Sequence, residues 1–428
     1  MPRSRRRKIP IVFRAKPSVP VADQILATAF AILVALSIGR FPEGERWIWF
    51  AALVSLALVH GAWQLARGMS VRLDLADGLL ALLIALGALS LIWSANRNGG
   101  IQTVIIASCA LFLAVYLKSQ SRTVLLGICV GVGLGDLYAL SANLWLPPGL
   151  WSGFANRGYV AEVMIASLPF LWPIWKQGGI VSRAFVIVCG VSDIVYVTGW
   201  TPSLIPAFAV AVVGFIAATW AIYQWRRRLV PLFVSASILL GCAVVYLGWK
   251  PLDLRDHIGI RAELDLNTGL MWLDRPLFGW GLGSFIEVYP IYKERHGDLM
   301  PYINSAFESY ITEAEAAHCD PIQLLAELGI VGFVPFLALV FVVLRNAALR
   351  IRDPMICAGG IGLVVLLSES LIEYPMQRAS TTFLAVFALA LAGRGTLGIP
   401  DLRLLPSGPS RGHAGAIETA GRQSDRAA

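Results

Sequence analysis

Charge is what this sequence has little of. Only 14% of the 428 residues are charged, against 57% hydrophobic, whereas soluble domains run at about 25% charged and about 45–50% apolar. That shortfall excludes an ordinary soluble enzyme, a disordered chain and a basic nucleic-acid-binding protein, although the formal net charge is +8. Histidine is scarce as well. Of the five, His257 and His296 have no partner at a metal-ligand spacing such as H-x-x-x-H, so neither a metal site nor a cofactor is expected. Cysteine is limited to six. Cys109, Cys129, Cys189, Cys242 and Cys357 sit inside apolar runs, where a thiol acts as a small hydrophobe. Cys319 alone falls in a polar segment, which argues against a disulfide framework.

What the sequence has is a succession of apolar runs approaching the ~20 residues that cross a bilayer. Twelve spans are expected, near 22–39, 47–66, 75–94, 101–117, 123–145, 158–175, 180–199, 203–225, 229–249, 326–344, 355–372 and 379–393. The runs are apolar all round rather than alternating, so helices and not barrel strands span the membrane. Residues 1–16 carry seven Lys/Arg with no small-residue cleavage site after the first apolar run, which therefore reads as an uncleaved span. With the N-terminus inside, Arg67, Lys118, Arg122, Lys176, Arg183, Arg226, Arg345, Arg350 and Arg394 all fall on the inner side, as the positive-inside rule requires. The expected layout is a basic cytoplasmic segment (1–21), nine spans (22–249), a periplasmic loop (250–325), three spans (326–393) and a disordered cytoplasmic tail (394–428).

The loop at 250–325 is the candidate functional region, since a loop this long in a compact chain usually has a task. It holds twelve acidic and six basic residues and three of the five histidines. Within 305–332, Phe307, Tyr310, Ile311 and Ala314 give one apolar helical face, with Glu308, Glu315 and His318 on another. Asp320 reads as an N-cap, Pro321 as the first helical residue and Gln323 as the third position of a capping box. His318 then lies just ahead of a helix N-terminus, which favours an anion and a neutral imidazole able to accept a proton. Glu315 is placed to orient the ring. A surface histidine bonded to its own backbone is the other reading of the same spacing.

Four segments carry a resemblance. HCDPIQLLAELGIVG (318–332) resembles the H-N-x-x-L-Q-x-x-x-E-x-G-x-x-G signature of the O-antigen ligase and O-antigen polymerase (Wzy-like) superfamily. Arg261, followed fifteen residues later by Pro276 in DRPLFGWGLGSF, is similar to the family's R…(D/H)-P-L-x-G-x-G-x-G-x-F segment. SESLIEYPM (368–376) resembles its S-L-x-E-Y-P-L segment, and GFANRGYVAEVMIASLP (153–169) its G-x-x-x-N-x-N-x-x-A…LP stretch.

The resemblance implies an all-α, polytopic, GT-C-like membrane glycosyltransferase that works without a metal and has one large periplasmic loop. Its donor would be a glycan on undecaprenyl pyrophosphate. The acceptor would be a hydroxyl on lipid A–core, on a growing glycan, or on a protein. Carried over residue by residue, His318 becomes the base or acceptor-orienting group and Arg261 the pyrophosphate contact, a guanidinium suiting a diphosphate. This sequence departs from the family at four places: Cys319 for Asn, Asp265 for Trp, Gly158 for Asn, and TGWTP (198–202) where the family has T-G-S-R-G. Arg157, Arg275, Lys293 and Arg378 are candidates to supply that second cation.

Other features read more plainly. Glu263-x-Asp265 imitates a metal-binding D-x-D but lies on the wrong side for cytoplasmic nucleotide sugars, and is taken as solvated charge. Gly279, Gly281 and Gly283 suggest a tight turn rather than a dinucleotide loop. Asp136, Glu162, Asp193 and Glu369 fall within spans, where carboxylates are functional candidates, but repulsion places them away from a diphosphate. They keep a polysaccharide or solute transporter in view, as does a non-catalytic subunit of a glycan-assembly complex.

Overall fold

A computed structural model describes residues 20–38, 43–68, 71, 73–145, 157–199, 211, 215, 235, 254–296 and 314–395. Among these residues the chain is all helix. The helices are α1 (Val21–Ile38), α2 (Glu43–Ala66), α3 (Leu75–Ser90), α4 (Arg97–Ser119), α5 (Arg122–Trp145), α6 (Arg157–Gln177), α7 (Ile180–Gly199), α8 (Leu254–Asp274), α9 (Phe285–His296), α10 (Asp320–Leu349), α11 (Pro354–Glu369) and α12 (Ala379–Ala392). Six of them (α1, α2, α4, α5, α7 and α10) are long and apolar enough to cross a bilayer, and α3, α11 and α12 are shorter apolar helices. This is a polytopic membrane protein. Apart from residues 211, 215 and 235, the expected spans at 203–225 and 229–249 lie outside the described residues, as do the helical face through Phe307 and Tyr310, residues 200–202 of the TGWTP turn and the tail beyond 395.

Lipid supplies no hydrophobic drive between helices, so close packing must come from small residues. Gly127, Gly131 and Gly135 of α5 supply it against α1. A Cβ at these positions would lie 2.6 Å from the Ala27 carbonyl oxygen, 2.5 Å from that of Ala31 and 2.7 Å from Ile38 Cβ. α12 runs through the centre, with Phe383, Leu384, Phe387 and Leu391 fully buried. Its fourteen residues reach only about 21 Å, short of the ~30 Å hydrocarbon core. It is flanked along its length by α2, α4, α6, α10 and α11.

α10 is not continuous. Gly329 adopts φ 63°, ψ −167°, which breaks the helix. The freed backbone groups pair with the glycine segment that follows α8. Trp280 N–H donates to Ala326 O (3.0 Å) and Gly281 N–H to Glu327 O (2.8 Å). Ile330 and Val331 N–H donate in return to Pro276 O (2.9 Å) and Leu277 O (3.1 Å). A side chain at Gly329 would meet Leu277 O at 2.3 Å. The Glu327 carboxylate accepts from Gly283 N–H (3.0 Å) and Phe285 N–H (3.1 Å), filling the N-terminus of α9. On its other side the segment is held by Ser90 and Ser94, which bond Leu282 N and Leu282 O at 2.9 Å each. The two motifs met separately in the sequence are thus one hydrogen-bonded unit.

Candidate functional site

The described ends of α3, α6, α10, α11 and α12 and the helices α8 and α9 gather at one end of the bundle. Glu373, in the turn between α11 and α12, is the centre of a charge cluster there. Its Oε1 accepts from Arg261 Nη2 at 2.5 Å. Its Oε2 lies 3.0 Å from His318 Nδ1 and 3.3 Å from Arg378 Nη2. Arg261, on α8, is fixed further by an Nε bond to Ile372 O (3.0 Å). Arg378, just ahead of α12, lies 3.3 Å from the Tyr159 ring centre and 4.4 Å from that of Tyr374. Its other nitrogen, Nη1, bonds Glu162 Oε2. The Tyr159 and Tyr374 hydroxyls meet at 2.9 Å, and the His318 ring stands edge-on to Tyr374 with centroids 4.6 Å apart.

His318 is the one non-glycine residue with a left-handed backbone (φ 57°) among the described residues, a conformation that costs energy and tends to occur at functional positions. The turn is pinned from three directions. Gln323 Oε1 accepts from Ala317 N (3.0 Å) and Gln377 Nε2 (3.1 Å). Asp320 N–H donates to Ser370 O (2.9 Å), and the Asp320 carboxylate accepts from Met376 N (3.2 Å). The N-cap is therefore Cys319, not Asp320 as its residue type suggested. Asp320 is the first helical residue because its carboxylate is drawn across to the α11–α12 turn.

Burial alone would raise the Glu373 carboxyl, but His318, Arg261 and Arg378 more than offset it and hold the group below the ordinary glutamate value. Burial works against the charge of Arg378, yet Glu162, Tyr159 and Glu373 outweigh it and raise its pKa further. Burial pushes Asp265 up to about 6, with Arg261 pulling the other way.

The structure thus brings Arg261 and His318 onto one carboxylate. Glu315 is exposed, and the carboxylate at the ring is Glu373. Arg275 is exposed and lies over Trp280, 3.8 Å from the ring centre. Lys293 is buried on Glu263 at 3.1 Å. Glu263 is fully buried, so it is not solvated charge as its sequence context suggested; Lys293 and Asn267 account for its burial. Glu162, set apart on grounds of repulsion, belongs to the cluster because Arg378 neutralises it. The side chain of Arg157 lies outside the described atoms. Glu373, Tyr374 and Tyr159 do not stand out in the sequence as site residues. The signal for the first two was present in the E-Y-P run of the 368–376 segment.

The chain is an all-helical membrane protein in which arginine, histidine and carboxylate converge at one end of the bundle. Residues 194–337, about a third of the chain, match a family model described as O-antigen ligase. This match supports a likeness to the O-antigen ligase/Wzy-like superfamily over that stretch. No curated protein matches it. The matched segment includes Arg261, Arg275, Glu315 and His318 but stops before Glu373 and Arg378, so the fold completes the cluster from residues outside it.

Proposed function

We propose that this protein is a metal-independent glycosyltransferase of the O-antigen ligase type, moving a glycan from undecaprenyl pyrophosphate to an acceptor hydroxyl at the periplasmic face of the inner membrane, with both termini cytoplasmic. The observation that carries the reading is the convergence of Arg261 and His318, distant in sequence, on Glu373. With Nδ1 facing a carboxylate, a neutral imidazole keeps its proton there, and Nε2 is the nitrogen able to accept another. The acceptor oxygen attacks the anomeric carbon while the bond from that carbon to the diphosphate oxygen breaks. The electron pair leaves with the diphosphate, the hydroxyl proton goes to His318 Nε2, and the configuration inverts. Arg261 meets the charge that develops on the leaving group. The left-handed His318 turn keeps the ring at the carboxylate throughout.

The test is a chromosomal deletion complemented with wild type, His318→Ala or Arg261→Ala, followed by analysis of surface glycan. Loss of attachment with long free polymer identifies a ligase, and single capped units identify a polymerase. A His318→Ala protein that inserts normally and attaches glycan at the wild-type level rules out the proposed base.

A further inference from the structure

Arg261 does not face a ligand unencumbered. Its Nε is committed to Ile372 O and its Nη2 to Glu373 Oε1. Glu373 already holds the charge of that guanidinium, so an anion arriving at Arg261 competes with Glu373 for it. The other oxygen of the same carboxylate serves His318 and Arg378, so whatever happens to Arg261 changes the charge that the imidazole sees. Resting on the donor reading above, we propose that Glu373 is an internal anion that yields Arg261 to the diphosphate of the lipid-linked donor and turns its charge onto His318, so that donor arrival strengthens the proton acceptor.

The layering of the cluster decides which partner moves. The Arg261 side chain is 25% exposed, while those of Glu373 and Arg378 are each 4% exposed. Arg378 is sandwiched by Tyr159 and Tyr374 and tied to Glu162. It is too deeply committed to meet a ligand, and its task is to keep Glu373 in place when Arg261 departs. The charged groups around Glu373 come from four elements: Arg261 from α8, His318 and Asp320 at the start of α10, Arg378 ahead of α12, and Glu162 from α6 behind Arg378. Of these cations, Arg261 is the accessible one. Glu373 is a positioning residue by this account, acting through Arg261 and His318 rather than on the sugar.

The experiment measures binding of inorganic pyrophosphate, and separately of undecaprenyl pyrophosphate, to the purified full chain in detergent, beside turnover. Glu373→Gln keeps the shape and removes the competing charge. Binding should tighten about tenfold, a difference of roughly 1.4 kcal/mol, while turnover falls about a hundredfold or more. A merely structural residue does not split the two parameters in this sense. Unchanged or weaker binding in Glu373→Gln overturns the proposal. Where that variant does not fold, Glu373→Asp keeps the charge near Arg378 but shortens its reach to Arg261, so tighter binding is again expected and its absence is again fatal. Arg261→Ala separates the two ideas. If it binds pyrophosphate like wild type, the donor reading itself fails. If it loses binding while Glu373→Gln gains none, only the competition fails.

Discussion

Lys118 closes the last turn of α4 over Asp74 and Asp77, at 2.9 and 2.7 Å, and at the opposite end of the bundle Arg378 closes over Glu162 and Glu373. In the first cluster every charge sits where a helix end wants it. Asp74 and Asp77 form the capping box of α3, and Lys118 lies at a C-terminus. In the second, His318 precedes the N-terminus of α10 and Arg378 sits at the N-cap of α12. The Arg378 guanidinium there opposes the helix dipole. The N-termini of α10 and α12 and the guanidiniums of Arg261 and Arg378 meet there, with Glu162 and Glu373 supplying the compensation. One end obeys local rules and serves as a clamp. The other breaks them, as functional sites do, and its guanidiniums are held in place by buried carboxylates.

The contrast is tested first where the expected effect is largest. His318→Ala should lower glycan attachment by about 10²–10⁴-fold, the usual worth of a positioned base, with insertion and melting temperature near wild type. Activity within a few-fold of wild type would make this end a clamp too. Next, Arg378→Ala strands Glu162 and Glu373 in a buried setting and removes the cation between Tyr159 and Tyr374. The cost should fall toward the upper end of ~3–5 kcal/mol, read as thermal unfolding in detergent. Arg378→Lys should recover only part of it, because an ammonium does not stack as a plane between Tyr159 and Tyr374.

The sequence was legible where physics is local. Apolar runs near membrane length marked every described span, and Pro321 marked the start of α10. The shorter extent of α3 was not legible, because it ends where Ser90 and Ser94 bond a segment almost two hundred residues away. Nor was the cap at Cys319, since Asp320 is captured by Met376 N–H through the fold. Arg261 and His318 stood out by their motifs. Glu373 did not, because at the end of an apolar run it reads as a span-end residue until the partners at 261, 318 and 378 are in space. Glu162 was not legible either, because a carboxylate in a span repels an anion until the buried Arg378 guanidinium lies between it and Glu373.

Lys118→Ala probes the clamp by the same chemistry. It leaves two aspartates without their ammonium, but Lys118 is 11% exposed and water can reach the gap. The loss should lie toward the lower end of ~3–5 kcal/mol, and specific activity per folded molecule should not change. A drop in specific activity equal to that of the His318 variant would erase the distinction between the two ends.

The smallest effect is the pH dependence of Asp265→Asn. Glu373 and Asp265 flank Arg261 and titrate in opposite senses. The folded value of Glu373 is depressed, so its ion pairs contribute fully above the unfolded glutamate value of about 4.3, and that contribution is lost as pH falls through the folded value. Asp265 is raised to about 6, above its unfolded value of about 3.9. The fold favours its protonated form, and the associated stability is present below about pH 4 and disappears as pH rises through about 6. Asp265→Asn removes a half-buried charge at neutral pH and nothing charged in acid. Its melting temperature should therefore match wild type near pH 4 and exceed it by about a degree or two near pH 7.5. The gap should open between those values. A gap that stays constant across the whole range would mean that Asp265 does not titrate there, and that Arg261 has a single carboxylate neighbour whose charge matters.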